Sequence, residues 1–194
     1  MSQLICEMPI EEIRKRLRQM LSEKRYSHSL GVMEASKRLA AKYGADVEKA
    51  ELAGLIHDCA RDLTVDETFS YCGKYNIKID DFLKKNPQLL HGMVGAHLAR
   101  DIFSVRASDV LAAVENHTMG REGMDKLSSI VFVSDYIEDG RNFPGVEEIR
   151  RIAEVSLEKA IVACLDCTIS YLVRKGMAIH PQTVITRNWA IDLI

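Results

Sequence analysis

The residues of this chain best suited to chemistry are an adjacent imidazole and carboxylate, His57 and Asp58. They end an apolar stretch at residues 53–56, so the pattern predicts that both lie in or near the core. A buried carboxylate is costly unless a cation or strong hydrogen-bond donors accompany it. We therefore expect this pair to hold a metal ion, with other ligands reaching the same point from elsewhere in the chain.

Further candidate ligands lie at the ends of predicted helices. His28 opens one helix on its apolar face, His91 begins another and His117 ends a third. Asp135 lies one turn beyond Val131 in the most apolar helical stretch, where an isolated carboxylate would cost on the order of several kcal/mol. A shared metal ion would stabilise all these groups at once. His97 has no comparable link to the other candidate ligands, and we interpret it as a core or surface residue.

The chemistry of these ligands favours a hydrolytic metal site. Imidazole and carboxylate suit iron, zinc, manganese, cobalt or nickel, and no cysteine occupies a candidate position, which disfavours a closed structural zinc site. His28, His57, Asp58 and Asp135 would leave coordination positions open for water and substrate. A metal ion in such a site lowers the pKa of water and polarises a phosphoryl oxygen.

Length and composition indicate a single globular domain over residues 1–194, with 47% apolar and 28% charged residues. The net charge of -2 gives no general attraction to nucleic acid or to anionic membranes. No apolar run approaches the ~20 residues that span a bilayer, and the N-terminus lacks the layout of a signal peptide. Cys164 and Cys167 are interpreted as small buried residues, which together with these features favours a reducing cytoplasm.

The apolar periodicity predicts an all-α fold of about eight to ten helices, with no alternating strand pattern. Asp46 and Thr64 are predicted helix caps, and Gly44 a helix stop. The helical core covers about residues 10–174, and a terminal loop and a short helix from Thr183 occupy residues 175–194. The predicted helices cover about 10–21, 27–43, 47–60, 65–75, 89–103, 108–117 and 124–138, with one or two over 146–174.

Seven short stretches carry a resemblance to a known family. The ordered set resembles the HD-domain phosphohydrolase superfamily, and within it the YqeK-type branch, the symmetrical dinucleoside tetraphosphatases of bacteria. Cys59, where an aromatic residue is common, and Arg61, in place of a frequent lysine, are small departures. The stretches are residues 25–32, 53–58, 89–92, 117–121, 134–138, 141–146 and 179–183.

The resemblance implies an all-α HD-domain fold and a role for each motif. His28, His57, Asp58 and Asp135 would bind one metal ion, most often described as iron. Phosphate-binding positions would be His91, His117, Thr118 and Arg141. The residues expected to line the nucleotide are Ala178, Ile179, His180, Pro181, Gln182 and Thr183.

Two points stay open at this stage. In an alternative arrangement His91 and His117 hold a second metal ion, and Asp58 bridges the two ions. Arg61 and Asp62 are candidates for assisting the metal ligands, and Asp62 could orient a ligand or pass a proton. A solvated charge at a helix end is an equally good interpretation of Asp62.

The activity implied by the resemblance is symmetrical hydrolysis of diadenosine tetraphosphate to two ADP molecules. A second hypothesis is another HD phosphohydrolase that acts on nucleoside monophosphates or cyclic nucleotides. A third is a non-catalytic helical domain that binds a nucleotide or a metal. We expect no nucleic-acid or membrane partner, and the apolar terminal helix with Trp189 and Ile191 either closes a homodimer or caps the core.

Overall fold

The computed structural model of this protein describes residues 4–194, and in that part of the chain the fold is all-α, as predicted. The described residues contain no β-strand, and an isolated antiparallel bridge joins Cys6 to Val105. A short 3-10 helix covers Pro87–Leu89. The α-helices are α1 (Ile10–Met20), α2 (Glu23–Tyr43), α3 (Val47–Ile56), α4 (Val65–Lys74), α5 (Asp81–Lys85), α6 (His91–Ile102), α7 (Ser108–Asn116), α8 (Lys126–Ile137), α9 (Val146–Ala153), α10 (Leu157–Arg174) and α11 (Pro181–Ile191).

The capping residues predicted from sequence begin and end these helices. The Asp46 side chain accepts a hydrogen bond from the backbone N–H of Lys49 at the start of α3. Thr64 and Glu67 form a reciprocal capping box at the start of α4. Gly44 ends α2 in the left-handed conformation, at φ +66°, which glycine adopts without strain.

The structure refines several of the predicted boundaries, and α2 begins at Glu23 instead of about residue 27. The third helix ends at Ile56 instead of about Ala60, and tight turns follow, in which the Cys59 N–H bonds to the Ile56 carbonyl. The stretch 146–174, predicted as one or two helices, forms two, because Ser156 caps α10. Asp80 caps the five-residue α5, which lies between the helices predicted over 65–75 and 89–103. The described residues therefore form eleven α-helices, slightly more than the eight to ten expected.

Helix α8 lies at the centre of the fold and packs against α2, α3, α7, α9 and α10. Its side chains Ile130, Phe132 and Ile137 are fully buried. Because Asp135 belongs to the same helix, its carboxylate projects from the most enclosed element of the protein. Burial of these large apolar side chains, worth roughly 1.5–3 kcal/mol each, fixes the helix that carries it.

Helices α2 and α3 approach each other closely at Gly54. A Cβ atom at this position would lie 2.9 Å from the Met33 Cα and 2.9 Å from the Val32 carbonyl oxygen, a distance that real Cβ atoms avoid. The absence of a side chain thus sets the separation of the two helices. This separation brings His28, near the start of α2, towards His57, directly after α3.

The C-terminal helix is only partly covered. Trp189 packs against the core as a partly buried residue, whereas Ile191, Leu193 and Ile194 are exposed. Both roles considered for this helix, capping the core and closing a homodimer, therefore stay predictions. No helix in the described part of the chain has the length and apolarity needed to cross a membrane.

Candidate functional site

The four predicted metal ligands lie together, and we call them the first ligand group: His28, His57, Asp58 and Asp135. The His28 Nε2 atom lies 2.8 Å from the Asp135 Oδ1 atom and 3.8 Å from the Asp58 Oδ2 atom. The His57 Nε2 atom lies 3.6 Å from Asp58 Oδ2 and 3.8 Å from Asp135 Oδ1. Three separate segments of the chain thus direct two imidazole nitrogens and two carboxylate oxygens at one point.

A second ligand group consists of Asp58, His91 and His117. The Asp58 Oδ1 atom lies 3.1 Å from the His91 Nε2 atom and 3.5 Å from the His117 Nε2 atom. The Nε2 atoms of His91 and His117 are 2.9 Å apart, and the Thr118 hydroxyl oxygen lies 3.3 Å from the His91 Nε2 atom. Asp58 therefore faces the first group with one carboxylate oxygen and the second group with the other.

Hydrogen bonds to the backbone orient three of the four histidines. The Nδ1 atoms of His57, His91 and His117 lie 2.8, 2.6 and 2.7 Å from the carbonyl oxygen three residues earlier in the chain. A carbonyl oxygen only accepts hydrogen bonds, so each Nδ1 carries the proton. Each Nε2 lone pair is then directed at the cluster, which is the form in which a histidine binds a metal.

His28 is oriented differently, by the carboxylate of Glu138. The His28 Nδ1 atom lies 3.1 Å from the Glu138 Oε1 atom, and Glu138 Oε2 accepts a hydrogen bond of 2.6 Å from the Gly140 N–H. Gly31 faces the carboxyl group, and a Cβ atom there would collide with Glu138 Oε2. The sequence patterns did not indicate Glu138 as a site residue. Its position three residues after Asp135, at the end of an apolar helix, could have indicated that it lies near the metal ligands.

The donor atoms fit a metal ion. The His57 Nε2 atom is buried and lacks a hydrogen-bond partner among the described residues, which is costly for a polar atom unless another group binds it. The buried His28 Nε2 atom lies 2.8 Å from the Asp135 Oδ1 atom. Cys59 does not add a sulfur ligand, because burial raises the pKa of its thiol to about 12 and its Sγ donates to the Gly95 carbonyl. The cluster therefore offers nitrogen and oxygen donors only and can hold a divalent metal.

The charge states also suit metal binding. Burial lowers the pKa of His57 to about 4, so the imidazole is neutral at pH 7. Burial by itself raises the pKa of Asp58, but His57, His117 and His91 outweigh it and hold the pKa well below its usual range. The pKa of Asp135 is also lowered: burial opposes this, and His28 and Arg141 outweigh burial. Both carboxylates are thus ionised near neutral pH.

A cavity of about 470 Å³ opens beside the two ligand groups, and we call it the site cavity. Four arginines line it, which is a strong concentration of positive charge on a protein of net charge -2. Arg25 pairs with Asp58 at 3.1 Å and Arg141 pairs with Asp135. Its full lining is Arg25, Asp58, Arg61, His91, His117, Thr118, Asp135, Tyr136, Arg141, Phe143, Pro144, Cys167, Thr168, Tyr171 and Arg174.

Some predicted site residues lie on this cavity and others do not. Thr118, Arg141 and Arg61 line it. Asp62 points elsewhere, since its Oδ2 atom accepts a hydrogen bond of 2.7 Å from the Ser22 N–H at the start of α2. His97 also lies away from the cavity and stacks on the Tyr75 ring, as a residue without a site role would.

The segment 178–183 is absent from the cavity lining among the described residues. His180 caps α11, packs edge-on against Phe82 and places its Nε2 atom 3.7 Å from the Asp80 carboxylate. The helix that follows contacts the loop that carries Thr118, because the Thr186 hydroxyl donates to the Met119 carbonyl at 3.1 Å. The nucleotide-binding role of residues 178–183 stays a prediction.

Sequence patterns also missed Arg25 and the α10 side of the cavity. Arg25 lies three residues before His28 on α2, so a helical plot could have placed both on one face. On α10, Thr168, Tyr171 and Arg174 recur at intervals of three residues and face the cavity together. Nothing in their residue types alone separates them from an ordinary partly exposed helix face.

Comparison with known proteins identifies the family. The family model for the HD domain matches residues 25–140, which contain every residue of both ligand groups. The chain belongs to the HD-domain family. A relative from Bacillus subtilis (strain 168), named symmetrical bis(5'-nucleosyl)-tetraphosphatase, is 38% identical over 182 residues, covering 94% of this chain and 97% of the relative.

Other HD-domain relatives also match this chain over most of their length. A protein from Halalkalibacterium halodurans with the same name is 41% identical over 87% of this chain and 89% of its own. A crystal structure from Clostridium acetobutylicum, described as a predicted HD superfamily hydrolase involved in NAD metabolism, superposes with a TM-score of 0.93. It is 41% identical, and the match covers 96% of this chain and 98% of that chain.

Proposed function

We propose that this protein is a metal-dependent hydrolase of dinucleoside tetraphosphates that cleaves diadenosine tetraphosphate symmetrically into two ADP molecules. The observation that carries the proposal is the position of Asp58 between two ligand groups at the wall of an arginine-lined cavity. The names of relatives that match nearly the whole chain support the substrate. The arginines support it independently, because a polyphosphate chain is strongly anionic.

We assign His28, His57, Asp58 and Asp135 as the ligands of one metal ion, and His91 and His117, with Asp58, as those of a second. The shared carboxylate favours two ions, which was the alternative arrangement at the sequence level. Iron is our choice of metal, from the family resemblance; zinc, manganese, cobalt and nickel also suit these nitrogen and oxygen donors. The chemistry that such an ion supplies when bound is a lowered pKa for water and polarisation of a phosphoryl oxygen.

The arginines bind and orient the phosphate chain in this mechanism. Arg25 and Arg141 pair with Asp58 and Asp135 in the structure. A metal ion held by these carboxylates would share their negative charge, and the two guanidinium groups would then be able to bind phosphate oxygens. Arginine recognises such oxygens through paired N–H donors. Thr118, beside His91 and His117, can donate its hydroxyl hydrogen to the same chain.

The reaction adds one water molecule across the central phosphoanhydride bond. The water oxygen becomes part of one ADP, and the former bridging oxygen leaves with the other ADP. Arg141 and Arg25 stabilise the negative charge that develops on the phosphoryl oxygens, which is the main way a protein accelerates phosphoryl transfer.

The test combines metal analysis with product analysis on one purified sample. Protein prepared without oxygen is assayed for metal content, and the products from diadenosine tetraphosphate are separated by chromatography. We expect iron in the protein and ADP as the sole nucleotide product. ATP together with AMP, or no turnover beside rapid phosphate release from a nucleoside monophosphate, would contradict the symmetrical activity and favour another HD phosphohydrolase.

A variant separates catalysis from simple binding. Asp135→Ala removes a ligand from the first group, and a non-catalytic binding domain would keep its function without it. We expect loss of metal and of ADP release. Retention of both would remove Asp135 from the metal site and from catalysis, whereas a wild type that binds metal but releases no ADP would favour a regulatory or scaffolding domain.

A further inference from the structure

The α10 face of the site cavity lies beyond both ligand groups and has no role in the mechanism described so far. It consists of Cys167, Thr168, Tyr171 and Arg174, and the loop residues Phe143 and Pro144 line the same cavity. The Thr168 hydroxyl is already engaged, because it bonds with the Tyr136 hydroxyl and the Cys164 carbonyl. Tyr171 and Arg174 are therefore the groups on this face that are available to a ligand.

Their chemistry suits a nucleotide. The Tyr171 side chain is 49% exposed although it lines a cavity, so one face of the ring is open to a stacking partner. Phe143 supplies a second aromatic ring to the cavity lining from the loop between α8 and α9. Arg174 forms no ion pair with any described residue, which leaves its guanidinium group free for a phosphate. An aromatic ring beside a free arginine is a combination that binds a base and its phosphates.

The proposed substrate also demands a second nucleotide position. Cleavage at the central phosphoanhydride bond requires an ADP-sized half on each side of the metal ligands. One half is expected towards Thr118, which follows His117 in the chain and lines the cavity. The α10 face lines the same cavity and is left for the other half.

From these observations we infer that Tyr171, Arg174 and Phe143 form the subsite for the second nucleoside diphosphate half of the substrate. The Arg174 guanidinium binds phosphate oxygens, and the base of this half stacks on the Tyr171 ring. The inference rests on the proposed function and extends it: the α10 face selects substrates with a nucleoside at both ends.

The experiment compares two ligands that each contain a chain of four phosphates. Diadenosine tetraphosphate carries two nucleosides and adenosine 5'-tetraphosphate carries one. The KM of the first and the competitive inhibition constant of the second are measured for the wild type and for Tyr171→Ala, Tyr171→Phe and Arg174→Ala. Val173→Ala is the matched control, because Val173 is 63% exposed on the same helix and is absent from the cavity lining.

We expect Tyr171→Ala to raise the KM of diadenosine tetraphosphate roughly tenfold, within the range for loss of a stacked base. The inhibition constant of adenosine 5'-tetraphosphate stays near the wild-type value, since its single nucleoside uses the other subsite. Tyr171→Phe keeps the ring and restores the wild-type KM. Arg174→Ala weakens both ligands, by about tenfold, because it removes a charge-assisted hydrogen bond to a phosphate.

Two results would overturn the subsite. In one, Tyr171→Ala changes neither constant; in the other, it changes both equally. Thermal melting of each variant shows whether the protein is folded, and unfolding would weaken the binding of both ligands instead of one. If the wild type releases ADP from diadenosine tetraphosphate while Tyr171→Ala is neutral, the subsite alone is wrong; if the wild type releases no ADP, the proposed function fails as well.

Discussion

The two ligand groups share Asp58 but differ in how their histidines are placed. In the first group the His57 Nε2 atom is buried without a hydrogen-bond partner among the described residues, and the His28 Nε2 atom lies 2.8 Å from a second carboxylate, Asp135. In the second group the Nε2 atoms of His91 and His117 lie within hydrogen-bond distance of each other and reach no carboxylate other than Asp58.

The difference bears on metal affinity. The first group has two carboxylates against one in the second, so it carries more negative charge, and its His57 Nε2 atom lacks a hydrogen-bond partner among the described residues. Buried groups without partners gain most when a cation binds them. We therefore expect the first group to bind its metal ion more tightly, and the second group, which opens on the site cavity, to lose its ion first.

The largest effect is expected for Asp58→Ala, because this change removes the ligand that both groups share. Metal content should fall to near zero, and ADP release from diadenosine tetraphosphate should fall below detection. Plasma emission spectrometry measures the metal, and chromatography the product. Asp139→Asn, at an exposed acidic residue, is the control and should keep both properties. A variant at Asp58 that retains a full complement of metal would contradict the shared-ligand arrangement.

His117→Ala is expected to separate the two groups. The first group stays complete, so the protein should keep about half of its metal at saturation while its turnover falls strongly. His97→Ala, which alters a histidine stacked on Tyr75 away from the cavity, is the matched control. Equal loss of metal from both groups in His117→Ala would mean that they do not bind independently, and an unchanged metal content would argue for a single ion.

Glu138→Gln tests how the first group is oriented. The amide can donate to or accept from His28 Nδ1, so the carboxylate that fixes the imidazole is lost while its shape is kept. We expect metal affinity of the first group to fall about 10- to 100-fold, the usual effect of losing a group that orients a ligand. Titration of metal-free protein measures the affinity, with Asp139→Asn again as the control. An affinity equal to the wild-type value would remove Glu138 from this role.

The smallest effect is expected for Asp62→Ala. Its carboxylate bonds to the Ser22 N–H and is exposed, so its loss should cost about 1 kcal/mol of stability and leave kcat unchanged. Chemical denaturation and steady-state kinetics measure the two quantities. A strong drop in kcat with normal stability would show instead that Asp62 acts on the reaction, as one sequence hypothesis proposed.

Much of this arrangement could be predicted from residues near one another in the chain. Helix caps depend on local hydrogen bonds, and Asp46 and Thr64 form the bonds expected of them. The apolar periodicity indicated the all-α fold, and the placement of His28, His57 and Asp135 in apolar stretches indicated a common cluster. The helix boundaries were predicted less well. Helix α3 ends at Ile56 because tight turns replace its expected last turn, and one of them is stabilised by the hydrogen bond from the Cys59 N–H to the Ile56 carbonyl.

The sequence by itself determined which residue types are available as ligands and that helices carry them. Only the tertiary structure decided that the two oxygens of Asp58 face different histidine pairs, that Glu138 orients His28, and that Asp62 turns away to Ser22. The physical reason is distance. Helical periodicity gives the direction of a side chain on its own helix, whereas the meeting of side chains depends on how closely helices pack, as at Gly54 between α2 and α3.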